Sequence, residues 1–193
     1  MKYWKVFAVL TFLQLILGIT ITVLAIRASD FSTSLGAKDL PLWASGPLVV
    51  SGCIGVLFVL GCRNSFSENT SVFVIKGISY LTSCLSVVLC FVAATFNSIH
   101  VVLYLENFYS CTDSENHSAC VCLRGTQPLH IVYTYEDISC EGVFNGLYNV
   151  FIVLAVLNSL GGLTCLCYVI LLWSTRYNYI YGGVTGSDCN ELA

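Results

Sequence analysis

The sequence predicts an all-α membrane protein, a bundle of four transmembrane helices with one disulfide-stapled extracellular loop. Three observations carry that prediction. Only 10% of the 193 residues are charged while 56% are hydrophobic, too little charge to keep the surface of a water-soluble domain wet. The eight Lys and Arg are spread unevenly and leave apolar stretches long enough to cross hydrocarbon. Cys111, Cys120, Cys122 and Cys140 all fall in the longest interval between such stretches, where an oxidising compartment would join them.

In chain order, residues 1–5 form a short cytosolic start carrying Lys2 and Lys5, and residues 6–26 form the first span. About 20 residues at ~1.5 Å each cover the ~30 Å of hydrocarbon, and the span must be helical because lipid offers nothing to unpaired backbone groups. Lys2, Lys5 and Val23-Leu24-Ala25 resemble parts of a secretion signal. The apolar run nevertheless exceeds the ~7–15 residues of a signal core, so it reads as an uncleaved anchor. A small outer loop, 27–41, ends at Pro41 beside the interfacial Trp43. The second span covers 42–62, and the short polar loop 63–71 makes it an antiparallel neighbour of the third, 72–96. The large loop 97–145 is acidic, with Glu106, Asp113, Glu115, Glu136, Asp137 and Glu141 against Arg124. Within it, His130 to Tyr135 reads as a β-branched and aromatic strand. The fourth span, 146–173, leads to a tail of residues 174–193, too short to fold alone.

Orientation follows from charge and cysteine placement. With both termini cytosolic, Lys2, Lys5, Arg63 and Arg176 lie inside and Lys76 can snorkel to the inner interface, against Arg27, Lys38 and Arg124 outside. That arrangement puts Cys111, Cys120, Cys122 and Cys140 outside, where two disulfides can form. A bond within Cys120-Val121-Cys122 would close a strained ring, so Cys111 and Cys140 are the partners, in an order that the sequence leaves open. His117 and His130 share the loop, but their spacing matches no standard zinc finger and the compartment disfavours one. Asn116-His117-Ser118 is a glycosylation sequon on the expected outer side, whereas Asn69-Thr70-Ser71 lies in the cytosolic loop and should stay unmodified.

Inside the membrane only Gln14 and Asn158 sit clearly mid-span. Ion pathways use charged or chained polar groups, whereas an isolated amide makes an interhelical hydrogen bond worth ~0.6–2 kcal/mol. Small residues mark where helices can approach: Ser51, Gly52 and Gly55 in span two, Ser79 and Ser83 in span three, Gly161-Gly162 in span four. Cys53, Cys84, Cys90, Cys165 and Cys167 read as small apolar fillers, and Cys62, at the inner edge of span two, as a palmitoylation candidate. His100 is expected at headgroup level. Tyr177 to Ile180 fits a tyrosine-based sorting signal, though the tail aromatics also suit an interfacial belt.

Enzyme signatures are missing at each step: no HExxH, no phosphate-binding glycine loop, no GxSxG and no facing carboxylates within a span. No cofactor, metal or small-molecule substrate is implied. The slightly negative net charge, without a basic stripe, excludes nucleic acid as a partner. The composition therefore points to a non-enzymatic adaptor embedded in the lipid bilayer. The alternatives are a channel or channel-regulating subunit, and a trafficking organiser.

An ordered set of short motifs adds a resemblance. Leu40-Pro41-Leu42-Trp43-Ala44 enters span two, and Cys111…Cys120-Val121-Cys122 opens the loop pattern. Val132-Tyr133 and Asp137 precede Cys140, and Trp173…Arg176-Tyr177…Tyr181-Gly182-Gly183-Val184 follows span four. Through most of the chain this set resembles the sarcospan family, small four-pass membrane proteins of the dystrophin–glycoprotein complex. The loop is tetraspanin-like in outline, without the Cys-Cys-Gly motif of a tetraspanin. Two departures from the family pattern stand out: the sequence opens five residues before span one, where the family carries a polar arm, and the spans are divergent. The resemblance implies a scaffold at the plasma membrane, the sarcolemma, that associates with sarcoglycans and dystroglycan. It also implies that Cys111, Cys120, Cys122 and Cys140 carry the loop fold, and that Gly52, Gly55, Gly161 and Gly162 serve helix contacts.

Overall fold

In the computed structural model, four stretches of helix are long and apolar enough to cross a membrane among the described residues. Those residues are 4–31, 35, 40–63, 70–105, 108, 110–114, 119–124 and 131–181, with the side chains of 31, 61–63, 70–73, 103, 104, 124, 131 and 175–181 outside the description. Helix α1 spans Trp4–Phe31, α2 Leu42–Arg63 and α3 Thr70–Ile99. A wider π-helical turn, His100–Leu105, continues α3. Three strands follow, β1 (Ser110–Asp113), β2 (Ala119–Arg124) and β3 (Ile131–Glu136). A single helical turn, α4 (Cys140–Gly142), and a second π-helical segment, Val143–Leu147, lead into α5 (Tyr148–Tyr181). Runs such as Thr20-Ile21-Thr22-Val23 disfavour a helix in water, yet α1 continues through them; without water, an intrahelical bond is the backbone's way to be satisfied.

Two compact units divide the chain. The first comprises Met1–Ile19, Ala44–Phe91 and Ser159–Ala193; the second, Thr20–Trp43 and Val92–Asn158. In the first, the apolar core is Phe7, Phe58, Val59, Tyr168 and Leu172, with Phe7 set edge-on to Tyr168 at 5.6 Å between ring centroids. Tyr80 stacks on Trp173. Thr11, Gln14, Ser51, Ser79, Ser83 and Ser86 are buried here, while Val9, Phe12, Leu57, Leu81 and Val88 are 59–67% exposed. Buried hydroxyls and exposed aliphatics reverse the rule for water-soluble domains and fit a bundle whose solvent is lipid.

The second unit holds the strands, which form one antiparallel sheet in the order β1-β2-β3. The register aligns Cys111, Cys122 and Tyr133 in one row and Asp113, Cys120 and Tyr135 in another on the same face. That face covers Val101, Leu105, Ile138, Val143, Leu147 and Phe151. The sheet is a cap closed over the π-helical segments. The strand expected over 130–135 is present at Ile131–Glu136; β1 and β2 join it. Asp137, at φ 64°, turns the chain after β3, a left-handed conformation that Asp tolerates better than most residues. Ser139 then caps α4, its side chain accepting from the Gly142 N–H at 3.3 Å.

Candidate interaction site

Two features of the chain are built for contact, one in each unit. In the first unit, α1 and α2 approach along small residues. A Cβ placed on Gly52 would lie 2.9 Å from the backbone nitrogen of Leu15 and 3.1 Å from its Cα, so a side chain there would collide with the α1 main chain itself. One turn on, Gly55 leaves room for the Thr11 side chain, and on α1 Gly18 does the same for Val49. Gly162 on α5 faces the Phe91 ring of α3, where a Cβ would lie 3.1 Å away. Gly161 is buried beside it, and its carbonyl accepts from Thr164 Oγ1. Such seams let backbones meet and gain dispersion contact that lipid cannot outcompete.

A polar layer fastens the same unit. Ser51 Oγ lies 2.7 Å from Ser83 Oγ and donates to Gln14 Oε1 at 3.5 Å, which joins α1, α2 and α3. Ser79 Oγ lies 2.7 Å from Tyr168 Oη, joining α3 to α5. The Gln14 Nε2 group has no partner among the described residues. Asn158, in the second unit, differs from the expected interhelical bond: its Nδ2 donates to Leu154 O of its own helix at 2.7 Å. A short amide can satisfy its donor on the preceding turn, and Asn158 remains fully buried. On the outside of α1 and α2, an open apolar groove of about 400 Å³ is lined by Trp4, Ala8, Phe12, Val56, Val59 and Leu60, among others.

In the second unit the cap is closed by two disulfides, Cys111–Cys122 and Cys120–Cys140. Cys111 and Cys122 are directly opposite in the β1–β2 register, with Cα atoms 4.1 Å apart. Cys120 and Cys122 are two residues apart on β2 and point to the same face, their sulfurs 3.7 Å from each other, yet each bonds elsewhere. The second bridge ties β2 to α4, and Asp113 Oδ1 reinforces it by accepting from the Cys140 N–H at 2.7 Å. His100 lies beneath the cap rather than as a bare interfacial side chain. It is 2% exposed, stacks on Phe151 at 4.4 Å and places Nε2 3.2 Å from Tyr135 Oη. The physical reason is tertiary: a strand far along the chain delivers Tyr133 and Tyr135 edge-on to the ring.

Sequence reasoning therefore passes over Gly18 and Tyr168, expects His100 only at headgroup level and counts Asp113 only among the acidic residues of the loop. Gly18 was open to the same small-residue argument as Gly52, whereas Tyr168 is hidden within an apolar run. Two groups of cysteines and Asp113 are close enough for a metal, Cys111–Cys120–Cys122 and Asp113–Cys120–Cys140, but these cysteines are joined in disulfides and lack thiolates to offer. Asn116, Asn69, His117 and His130 lie outside the described residues, as do the side chains of Cys62 and Tyr177.

No protein-family model matches the chain. It is 34% identical over 178 residues to sarcospan of Mus musculus, an alignment covering 91% of this chain and 80% of that protein. Against sarcospan of Oryctolagus cuniculus the identity is 30% over 177 residues, 91% and 73% of the two chains. Against that of Homo sapiens it is 30% over 178 residues, 91% and 71%.

Proposed function

Since the chain belongs to the sarcospan family, we propose that it is a non-enzymatic scaffold of the plasma membrane, in muscle the sarcolemma. In this reading it packs laterally against single-span glycoproteins, the sarcoglycans, and with dystroglycan stabilises the complex that links extracellular matrix to cytoskeleton. The observation that carries the reading is where the buried polar groups go. Among the described residues the buried polar side chains are Ser, Thr, Asn, Gln and His100, with no buried Asp, Glu, Lys or Arg. Ser51, Ser83, Ser79, Tyr168 and Gln14 spend their hydrogen bonds on one another across helices. That is the chemistry of a rigid body, not of an ion lane. The apolar groove beside Phe12 and Val56 suits the side of a partner's span, and palmitoylation of Cys62 would hold the inner edge of α2 at the membrane.

Recovery of the full chain in mild detergent together with the sarcoglycans is the expected result. Failure to co-purify, or ion currents from the chain alone in liposomes, would overturn the scaffold reading.

The reading also places both termini in the cytosol and the cap outside. Lys2, Lys5, Arg63 and Arg176 favour that side, and the cap's disulfides need an oxidising compartment. Peptide N-glycosidase is expected to shift the protein by one glycan, and Asn116→Gln to abolish the shift, while Asn69→Gln leaves it intact. A glycan on Asn69 would reverse the orientation.

A further inference from the structure

The open groove on the outside of α1 and α2 has an apolar floor, two rims and one basic end. Thr11 and Val59 are buried in the floor, and the Thr11 hydroxyl donates to Ala8 O of its own helix at 3.1 Å, which leaves the floor hydrocarbon in character. The rims are exposed, Val9 and Phe12 on α1 and Leu60 on α2. Residues three and four apart share one side of a helix, and each rim, followed one turn further, reaches a basic residue. Lys5 precedes Val9 and Phe12, and Arg63 follows Val56 and Leu60. The two rims end together. Thr11 faces Gly55, Leu15 faces Gly52 and Gly18 faces Val49, an antiparallel register that, continued, sets Arg63 level with Trp4 and beside the exposed Lys5. Trp4 itself lines the groove at that end, the place of an interfacial tryptophan. No Asp or Glu occurs in residues 1–29 or 42–67, so neither helix carries an acid there to offset the two charges.

We propose that this groove binds an anionic phospholipid of the cytosolic leaflet, with one acyl chain between the rims and the headgroup phosphate held by Lys5 and Arg63. An apolar groove of about 400 Å³ selects nothing by itself, because in a membrane every neighbour is as apolar as its walls. Selection comes from the basic end, where an ammonium and a guanidinium can meet phosphate oxygens in charge-assisted hydrogen bonds. Basic pockets between helices on the cytosolic side recognise anionic headgroups by this chemistry. The apolar stem of Lys5 can follow the groove wall while its charge stays at headgroup level. A lipid held there becomes part of the side that a partner's span meets beside Phe12 and Val56. The choice of leaflet rests on the orientation proposed above.

Native mass spectrometry of the full chain in mild detergent, titrated with phosphatidylserine or with zwitterionic phosphatidylcholine, tests the site. Wild type is expected to bind phosphatidylserine about tenfold better. Lys5→Ala/Arg63→Ala should lose that preference and Lys5→Arg/Arg63→Lys should keep it. Lys76→Ala/Arg176→Ala removes two cations from α3 and α5 at the same membrane face and should stay within about threefold of wild type. Ala8→Phe fills the groove and should lower retention of both lipids. Unfolding temperatures equal to wild type without lipid show that the variants are folded, and if Ala8→Phe is not, the charge variants still decide. Equal binding of the two lipids by wild type, or a preference that survives Lys5→Ala/Arg63→Ala, overturns the site. A glycan on Asn69 overturns the cytosolic leaflet, while the detergent measurement still reads the lipid. Sarcoglycan recovery decides the scaffold reading separately from all of these results.

Discussion

Gly52→Val is expected to part α1 from α2 and to cost about 2 kcal/mol or more, the upper range for overpacking a close contact. The reason is that the obstacle is main chain. A Cβ at position 52 meets the Leu15 nitrogen at 2.9 Å and Cα at 3.1 Å, and neither can rotate away as a side chain would. Gly77 supplies the control, since a Cβ there has nothing within 4 Å. Gly77→Ala is expected to be neutral or to add up to ~1 kcal/mol through helix propensity. The measurement is the apparent unfolding temperature in detergent, where ~2 kcal/mol in a chain of this size corresponds to roughly 4–8 °C. Equal behaviour of Gly52→Ala and Gly77→Ala would show that the seam does not hold the helices.

The second large effect concerns the cap. Removing the Cys120–Cys140 bridge with paired alanines is expected to release the sheet from α4, whereas removing Cys111–Cys122 leaves it seated. Chain entropy alone distinguishes the two only slightly. Sequence separations of 20 and 11 each correspond to about 3 kcal/mol, with the longer loop ahead by roughly half a kcal/mol. Connectivity separates them further. Cys111–Cys122 lies inside a hairpin that backbone hydrogen bonds already hold, so that hairpin outlasts its disulfide. Cys120–Cys140 cross-links β2 to α4, whose helical run continues into α5 and Phe151, so without it the sheet is joined there through the main chain of residues 137–139 and Tyr135 loses its fixed place over His100. Amide hydrogen exchange across β3 reads this directly: protection should collapse in Cys120→Ala/Cys140→Ala and persist in Cys111→Ala/Cys122→Ala. The reverse order would contradict the account.

Both effects show what a one-dimensional reading can reach. The long apolar helices were visible because hydrocarbon thickness sets a length that sequence displays directly. Gly52 and Gly55 stood out because a small-residue stripe is a local pattern, and their juxtaposition with Leu15 and Thr11 is its direct result. The pairing of Cys111 with Cys122 could not be read, since it depends on β1, the short and compositionally neutral Ser110-Cys111-Thr112-Asp113, lying antiparallel to β2. His100 escaped for a related reason. Nothing near it in sequence foretells Tyr135, 35 residues on, or Phe151 arriving from another helix. Asn158 was visible as a buried amide, but whether it reaches a neighbour or its own Leu154 is decided by backbone geometry.

The interior hydroxyls have a consequence for how the protein could tell one lateral neighbour from another. Even Thr82, Ser98 and Ser29 are tied back to carbonyls of their own helices, Ile78, Ala94 and Ile26. What these helices turn towards the lipid is then mostly hydrocarbon contour: ridges such as Phe12 and Leu81, and hollows such as the one beside Val56. A neighbouring span would be sorted by silhouette alone, and a single methyl group added to or taken from that relief would change which companion fits.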